Sequence, residues 1–236
     1  MRLPHAPTSA PMTDDPFDSL LARATRVRRL ALVPEIALQL SDDLPTLWAA
    51  REAVAGRTGS TAPYWGVAWP GGQSLARFLL DRPALVAGKR VLDLGAGSGL
   101  CAIAAALAGA QVVTASDIDR DACHAIARNA ALNRVSVTIR SDDPTGRDTD
   151  ADIVLAADLW YERFFAQRVT GWLRDLARSG REVLMADSGR AFVPRTGIEE
   201  LARYELAPTR GLEVSETASA SVFRFSAATG NSSPSA

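Results

Sequence analysis

The 236-residue sequence predicts an α/β fold: a seven-strand, mostly parallel sheet with an antiparallel hairpin at its C-terminal end, preceded by an N-terminal helical extension. Three observations carry that expectation. From residue 91 onward, apolar runs of strand length alternate with helical patterns, as crossover units in a parallel sheet require. Apolar residues make up 47% of the chain, ample for the core of one domain. The run Val91-Leu92-Asp93-Leu94-Gly95-Ala96-Gly97-Ser98-Gly99 joins a buried-strand pattern to a strong helix former through three alternate glycines.

Taken in order, residues 1–16 are rich in Pro, Ser, Thr and Ala and read as a loose tail. Residues 17–62 form the extension. Within it, Phe17–Leu32 reads as a helix with Leu20, Leu21, Ala24 and Val27 on one face and Arg26, Arg28 and Arg29 on the other. Those arginines are a solvated face or a partner-binding patch. Pro34–Leu40 alternates as a short strand, and Leu44–Val54 is a helix begun at Asp42 or Asp43. The main domain is expected over residues 63–226 and a second tail over 227–236.

The main domain opens with Pro63-Tyr64-Trp65-Gly66-Val67-Ala68-Trp69-Pro70-Gly71-Gly72-Gln73, three aromatics among prolines and glycines. It is either a hydrophobic plug at the sheet edge or a wall over a ligand, with a helix following over Ser74–Leu80. Next comes the glycine turn, whose helix, Leu100–Ala108, has Gly109 as its stop. The spacing then predicts a strand at Gln111–Ser116, a helix at Asp119–Leu132, a strand at Val135–Ile139 and a strand at Asp152–Ala157. A helix at Glu162–Arg178, a strand at Glu182–Ala186, a short helix at Ile198–Arg203 and strands at Leu206–Leu212 and Ser221–Ser226 complete the chain.

A strand, a glycine turn and a helix N-terminus make a nucleotide-type site. The dinucleotide fingerprint asks for G-x-G-x-x-G, but position 100 is Leu and the third glycine comes one residue early. Asp117, at the end of the next strand, stands where an acid can take both ribose hydroxyls, though it could equally cap the following helix, as Asp119 is expected to do. Asp142 lies in the turn Ser141-Asp142-Asp143-Pro144, where acids are common for turn reasons alone.

The spelling D-x-G-x-G-x-G over Asp93–Gly99 resembles the first motif of class I S-adenosylmethionine-dependent methyltransferases, a Rossmann-like fold. That resemblance implies S-adenosylmethionine as cofactor, with the glycine turn near its methionine part, Asp93 holding the amino side directly or through water, and Asp142 beside the adenine. At the tip of the fourth strand the chain carries Asp158-Leu159-Trp160-Tyr161, where relatives that act on planar amide or base nitrogens carry Asn-Pro-Pro-Tyr. A carboxylate suits a cationic amine, and aromatic rings can flank an alkylammonium.

The Asp-x-x-Tyr arrangement resembles the seven-strand protein lysine methyltransferases. The aromatic–proline run, Val91–Gly99, Asp152–Glu162 and Asp187-Ser188-Gly189-Arg190 are similar to the branch that methylates the electron-transfer flavoprotein beta subunit. By that resemblance Trp69, Gly95, Ala96, Gly97, Asp117 and Ala157 line the cofactor, while Asp158 and Tyr161 face the lysine. The implied partner is a protein substrate, the electron-transfer flavoprotein beta subunit. Cys101, where a small aliphatic is expected, and the long N-terminal tail depart from the pattern.

Other classes fare less well. A net charge of −1 gives no field for nucleic acid or an anionic membrane. Cys101, Cys123, His5 and His124 have no metal-ligand or disulfide spacing, and both thiols are expected in helices, buried and free. No apolar run is long enough for a membrane span and no signal peptide is legible, so a cytoplasmic protein is expected; a monomer is expected as well. An NAD-dependent oxidoreductase is disfavoured by Leu100 and by the lack of a Tyr-x-x-x-Lys pair. A non-catalytic module is disfavoured by the acids at 93, 117 and 158; a ribosomal protein or small amine as acceptor stays open.

Overall fold

The structure, a computed structural model, describes residues 16–56, 58–206 and 218–227; apart from Pro16 and Ala227, both expected tails fall outside them, as does most of the strand expected at Leu206–Leu212. Among the described residues, six α-helices and nine strands follow in the order α1 (Pro16–Ala24), β1 (Arg26–Arg29), β2 (Ala37–Leu40), α2 (Leu44–Ala55), α3 (Pro70–Asp81), β3 (Arg90–Leu94), α4 (Leu100–Leu107), β4 (Val112–Ser116), α5 (Arg120–Leu132), β5 (Thr138–Arg140), β6 (Ile153–Ala157), α6 (Arg163–Arg178), β7 (Glu182–Asp187), β8 (Ile198–Leu206) and β9 (Ala218–Phe225). Seven strands form one sheet in the order β5-β4-β3-β6-β7-β9-β8. The first five are parallel, and β9 runs antiparallel to both β7 and β8. The expected sheet is borne out.

Two faces of the sheet are covered. Leu75, Leu79, Ile103 and Ile126 of α3, α4 and α5 pack with Val91, Leu155 and Leu184 on one side. Val169, Leu173 and Leu176 of α6 pack with Leu92, Val154 and Met185 on the other. Odd and even residues of β3 thus point to opposite layers, as the strand period demands. Burial on both faces makes the central strands continuous apolar runs, which is why they are legible in the sequence. Helix starts are legible too. Asp43 accepts the Thr46 N–H at 3.0 Å, Asp119 the Asp121 N–H at 3.0 Å, and Glu162 the Phe164 and Phe165 N–H groups at 2.9 and 2.8 Å.

Four expectations are corrected. The helix expected over Phe17–Leu32 ends at Ala24, where the Thr25 hydroxyl bonds the Leu21 carbonyl at 2.6 Å. Arg26–Arg29 then pairs with β2 as a two-stranded sheet of its own, Arg26 opposite Leu40. That hairpin is held to α5 by side chains: Asn133 Oδ1 accepts the Ala37 N–H at 2.8 Å and Asn129 Oδ1 the Gln39 N–H at 2.7 Å. Ile198–Arg203, expected as a helix, lies in edge strand β8, where pairing with β9 overrides the helical propensity of its Glu, Leu and Ala. The helix expected at Ser74 starts at Pro70, since proline is at home in a first turn, where its missing N–H costs nothing. The strand expected at Val135–Ile139 is β5, shorter and shifted to Thr138–Arg140.

Candidate active site

Strands β3, β4, β6 and β7 end on the same edge of the sheet, and the order in which the chain adds parallel strands switches sides between β3 and β6. An open α/β sheet forms its ligand crevice at such a place. A cavity of about 500 Å³ lies there, within the ~300–1,000 Å³ usual for small-molecule and cofactor sites. Its floor is the glycine turn. Gly95, Gly97 and Gly99 take φ of 61°, 53° and 81°, a region that other residues enter only with strain. At Gly95 a side chain would also meet Leu159, with a Cβ only 2.6 Å from its Cδ2.

Asp117 closes one end. Its Oδ2 accepts the Gly97 N–H at 2.9 Å and its Oδ1 the Asp119 N–H at 3.0 Å, so the carboxylate is fixed against the turn. Burial pushes its carboxyl above the ordinary range, against those two N–H groups. Asp119, expected as a helix cap, is one, and Arg51 of α2 reaches it at 2.8 Å.

The other end is built from β6 and β7. Asp158 follows β6 with φ 59°, a strained left-handed conformation for a residue with a side chain. Its carboxylate is 8% exposed; Oδ2 accepts the Gly72 N–H at 2.7 Å and Oδ1 an Arg190 N–H at 2.5 Å. Burial pushes its carboxyl up, while the Arg190 guanidinium and the Gly72 N–H pull it down. The first turn of α3 therefore presses onto Asp158, and this explains the glycine pair after Pro70. A Cβ on Gly71 would sit 2.6 Å from Asp158 Oδ2 and 2.6 Å from the Ala186 carbonyl. Tyr64, Trp69 and Tyr161 make the aromatic wall, with ring centroids 5.8 Å apart for Tyr64–Trp69 and 5.8 Å for Tyr64–Tyr161. Tyr161 is 56% exposed and Phe164, at the start of α6, 77%.

The structure thus brings Trp69, Gly95, Gly97, Asp117, Asp142, Ala157, Asp158 and Tyr161 to one cavity. Ala96 and Asp93 stand behind it. Ala96 hydrogen-bonds the Ser116 carbonyl at 3.1 Å, and Asp93, 2% exposed, accepts the Ala102 N–H at 2.9 Å from beneath the turn. Burial pushes Asp93 up to about 7. Asp142 is held by Arg140 at 2.8 Å and Arg147 at 2.6 Å. The expected thiols divide: Cys101 is buried in α4, Cys123 only half-buried in α5.

Sequence reasoning missed Ile118, Asp143, Phe165 and Arg168 in the lining and gave Arg190 no role. Ile118, exposed at 75% directly after Asp117, carried a signal in its position; the others arrive from α6 or a turn and carried none. In all, the lining has five carboxylates against two guanidiniums, and both guanidiniums are paired: Arg168 with Asp143 at 2.6 Å, Arg190 with Asp158. Behind the lining, Arg51 pairs with Asp119, and Arg140 and Arg147 pair with Asp142, so among the described residues Asp117 is the lining carboxylate without an arginine partner and no lining guanidinium is left free for a pyrophosphate. A nucleoside carrying a sulfonium, with its ribose at Asp117, fits these residues.

The family described as ribosomal protein L11 methyltransferase (PrmA) matches residues 75–159. The electron transfer flavoprotein beta subunit lysine methyltransferase of Danio rerio is 35% identical over 219 residues, covering 90% of this chain and 84% of that one. The protein of the same name in Xenopus laevis is 39% identical over 176 residues, covering 73% and 70%. Among solved structures, magnesium protoporphyrin IX methyltransferase from Synechocystis with bound SAH is similar in fold, with a TM-score of 0.50, 18% identity and coverage of 66% of this chain and 81% of that one.

Proposed function

Because this chain belongs to the family of electron transfer flavoprotein beta subunit lysine methyltransferases, we propose that its acceptor is a lysine of the electron transfer flavoprotein beta subunit. The enzyme is an S-adenosylmethionine-dependent protein lysine methyltransferase. The observation that carries the reading is one cavity with a backbone-anchored carboxylate, Asp117, at one end and an aromatic-walled carboxylate, Asp158, at the other.

Bound there, S-adenosylmethionine supplies an electrophilic methyl group on a sulfonium. The residues we assign to holding it are Asp117 for the ribose hydroxyls, the Gly95–Gly97 backbone and Trp69 for the methionine part, and Ala157 and Asp142 for the remaining wall. Asp93 supports the turn from below.

The chain's own task is to deliver a neutral amine. A lysine of pKa about 10.4 is neutral roughly once in 2,500 molecules at pH 7, a cost of about 4.6 kcal/mol. Asp158 recognises and orients the ammonium, and Tyr161 and Tyr64 flank its alkyl stem and exclude bulk water. The proton leaves to water at the cavity mouth before attack. Alignment of the amine does most of the catalytic work, and no covalent enzyme intermediate is needed.

The L11 methyltransferase match ends at Leu159, so it spans the cofactor strands and stops short of Tyr161. It speaks to the cofactor and leaves the acceptor to experiment. Purified electron transfer flavoprotein incubated with the enzyme and methyl-labelled S-adenosylmethionine should carry label on beta-subunit lysines by mass spectrometry. Label that appears instead on a ribosomal protein or a small amine in a lysate would overturn the acceptor assignment.

A further inference from the structure

Arg190 is a charged residue of this cavity that the reading above does not use. It follows β7 in the turn Asp187-Ser188-Gly189-Arg190, and Asp187 shapes that turn by accepting the Gly189 and Arg190 N–H groups on Oδ1, each at 2.8 Å. One guanidinium nitrogen of Arg190 then bridges two carboxylates: Asp158 Oδ1 at 2.5 Å and Asp187 Oδ2 at 3.0 Å. Its carbon lies 5.5 Å from the centre of the Trp69 ring. The Asp187 side chain is fully buried, that of Arg190 is 22% exposed, and Arg190 forms part of the cavity lining.

The charges around Asp158 can be read element by element. From α3 comes only the Gly72 N–H; from α4 comes Cys101, a thiol that burial pushes well above its ordinary value and so keeps neutral. From the turn before α6 comes Tyr161, whose phenol burial also raises. From β7 and its turn come Asp187 and Arg190. Two carboxylates and one guanidinium leave a single unit of negative charge. Without Arg190 an incoming lysine would meet Asp158 with the buried charge of Asp187 uncompensated behind it, and the ammonium would hold its proton more tightly, which is the opposite of what attack requires.

We propose that Arg190 is a positioning residue that sets the charge at the amine end, offsetting one of two buried carboxylates so that Asp158 orients a single alkylammonium without locking it in the charged form. The inference rests on the amine reading of Asp158 and deepens it: the site is matched to a side chain carrying one positive charge.

The test uses the full-length enzyme loaded with S-adenosylhomocysteine and n-butylamine as probe, titrated by calorimetry at pH 8, beside methyl transfer to electron transfer flavoprotein across pH. In Arg190→Gln, butylammonium should bind on the order of tenfold more tightly. For methyl transfer, KM should fall together with kcat, and the pH at which kcat is half-maximal should rise by about one unit. The double variant Asp187→Asn/Arg190→Gln restores one net negative charge, and its new side-chain amide keeps an oxygen for the two turn N–H groups; it should return affinity and pH profile to wild type. Arg190→Lys should resemble wild type.

Unchanged or weaker butylammonium binding in Arg190→Gln overturns the inference, as does a double variant as defective as the single one, the mark of a purely structural arginine. Should Arg190→Gln fail to fold, Asp187→Asn decides: it leaves Arg190 with one carboxylate and no net negative charge, so butylammonium should bind on the order of tenfold more weakly, and unchanged binding overturns the inference. Wild-type enzyme that does not bind butylamine sinks the amine reading and this inference with it. If it binds butylamine and leaves electron transfer flavoprotein unmethylated, only the acceptor assignment falls.

Discussion

The two ends of the cavity are built by different means. At the β3–β4 end, the backbone does the holding: a glycine turn at positive φ, and a carboxylate whose two oxygens are occupied by the Gly97 and Asp119 N–H groups. At the β6–β7 end, side chains hold side chains: Asp158 against Arg190, Arg190 against Asp187, with one helix N–H from Gly72. A backbone cradle suits a cofactor that is the same in every turnover. An end made of adjustable charges suits the group that varies between relatives, the acceptor. On the proposed assignment of the two ends, cofactor binding and acceptor choice are separable, and that separation can be attacked directly.

The largest expected effect is at the amine end. Asp158→Ala should lower kcat for methyl transfer on the order of a thousand-fold, because a misplaced amine loses alignment. Calorimetric affinity for S-adenosylmethionine should stay within about threefold. Near-normal turnover would remove Asp158 from the mechanism. The mirror experiment is Asp117→Ala. Losing charge-assisted bonds worth about 1.5–3 kcal/mol should weaken S-adenosylmethionine binding roughly 10- to 150-fold, with kcat at saturating cofactor little changed. If both variants lost binding and rate together, the two ends would be one unit and the comparison would break.

Which end was legible in the sequence follows from the same difference. Glycines, the acid two before them and the acid after the next strand lie close together in the chain and signal through backbone need, so the cofactor end could be read in outline. Even there, Asp93 stands beneath the turn and outside the lining, because strand alternation aims it at α4. Asp158 and Arg190 are 32 residues apart and meet only because β6 and β7 are neighbours. The pairing is a tertiary fact, and the run Asp187–Arg190 could be noticed without a role. Fold errors have the same origin. β1 and β8 form where pairing partners and the Asn129 and Asn133 side chains override local helical preference, and no local pattern reports on that.

A smaller effect concerns stability and the backbone-built end. Burial raises Asp93 to about 7 in the folded protein, against an ordinary value near 3.8. Between those pH values the folded state binds the extra proton, so this group's contribution is full below about pH 4 and is lost as pH rises through about 7. Asp93→Asn should therefore flatten the fall in unfolding free energy between about pH 4 and 7, measured by urea titration at several pH values. An unchanged slope would mean that Asp93 is ionised beneath the turn throughout that range.

The smallest effect refines the amine end. No protein partner bonds the Tyr161 hydroxyl among the described residues, whereas its ring packs, tilted, on Tyr64 at 5.8 Å and on Phe165 at 6.2 Å. If the ring is what serves the alkylammonium, Tyr161→Phe should keep kcat/KM within about threefold. Tyr161→Leu, which keeps the bulk and loses the quadrupole, should cost roughly 2- to 30-fold, the range of a cation–π contact between exposed and desolvated limits. A large loss in Tyr161→Phe would instead make the hydroxyl a participant, and water would no longer be sufficient to carry the lysine's proton away.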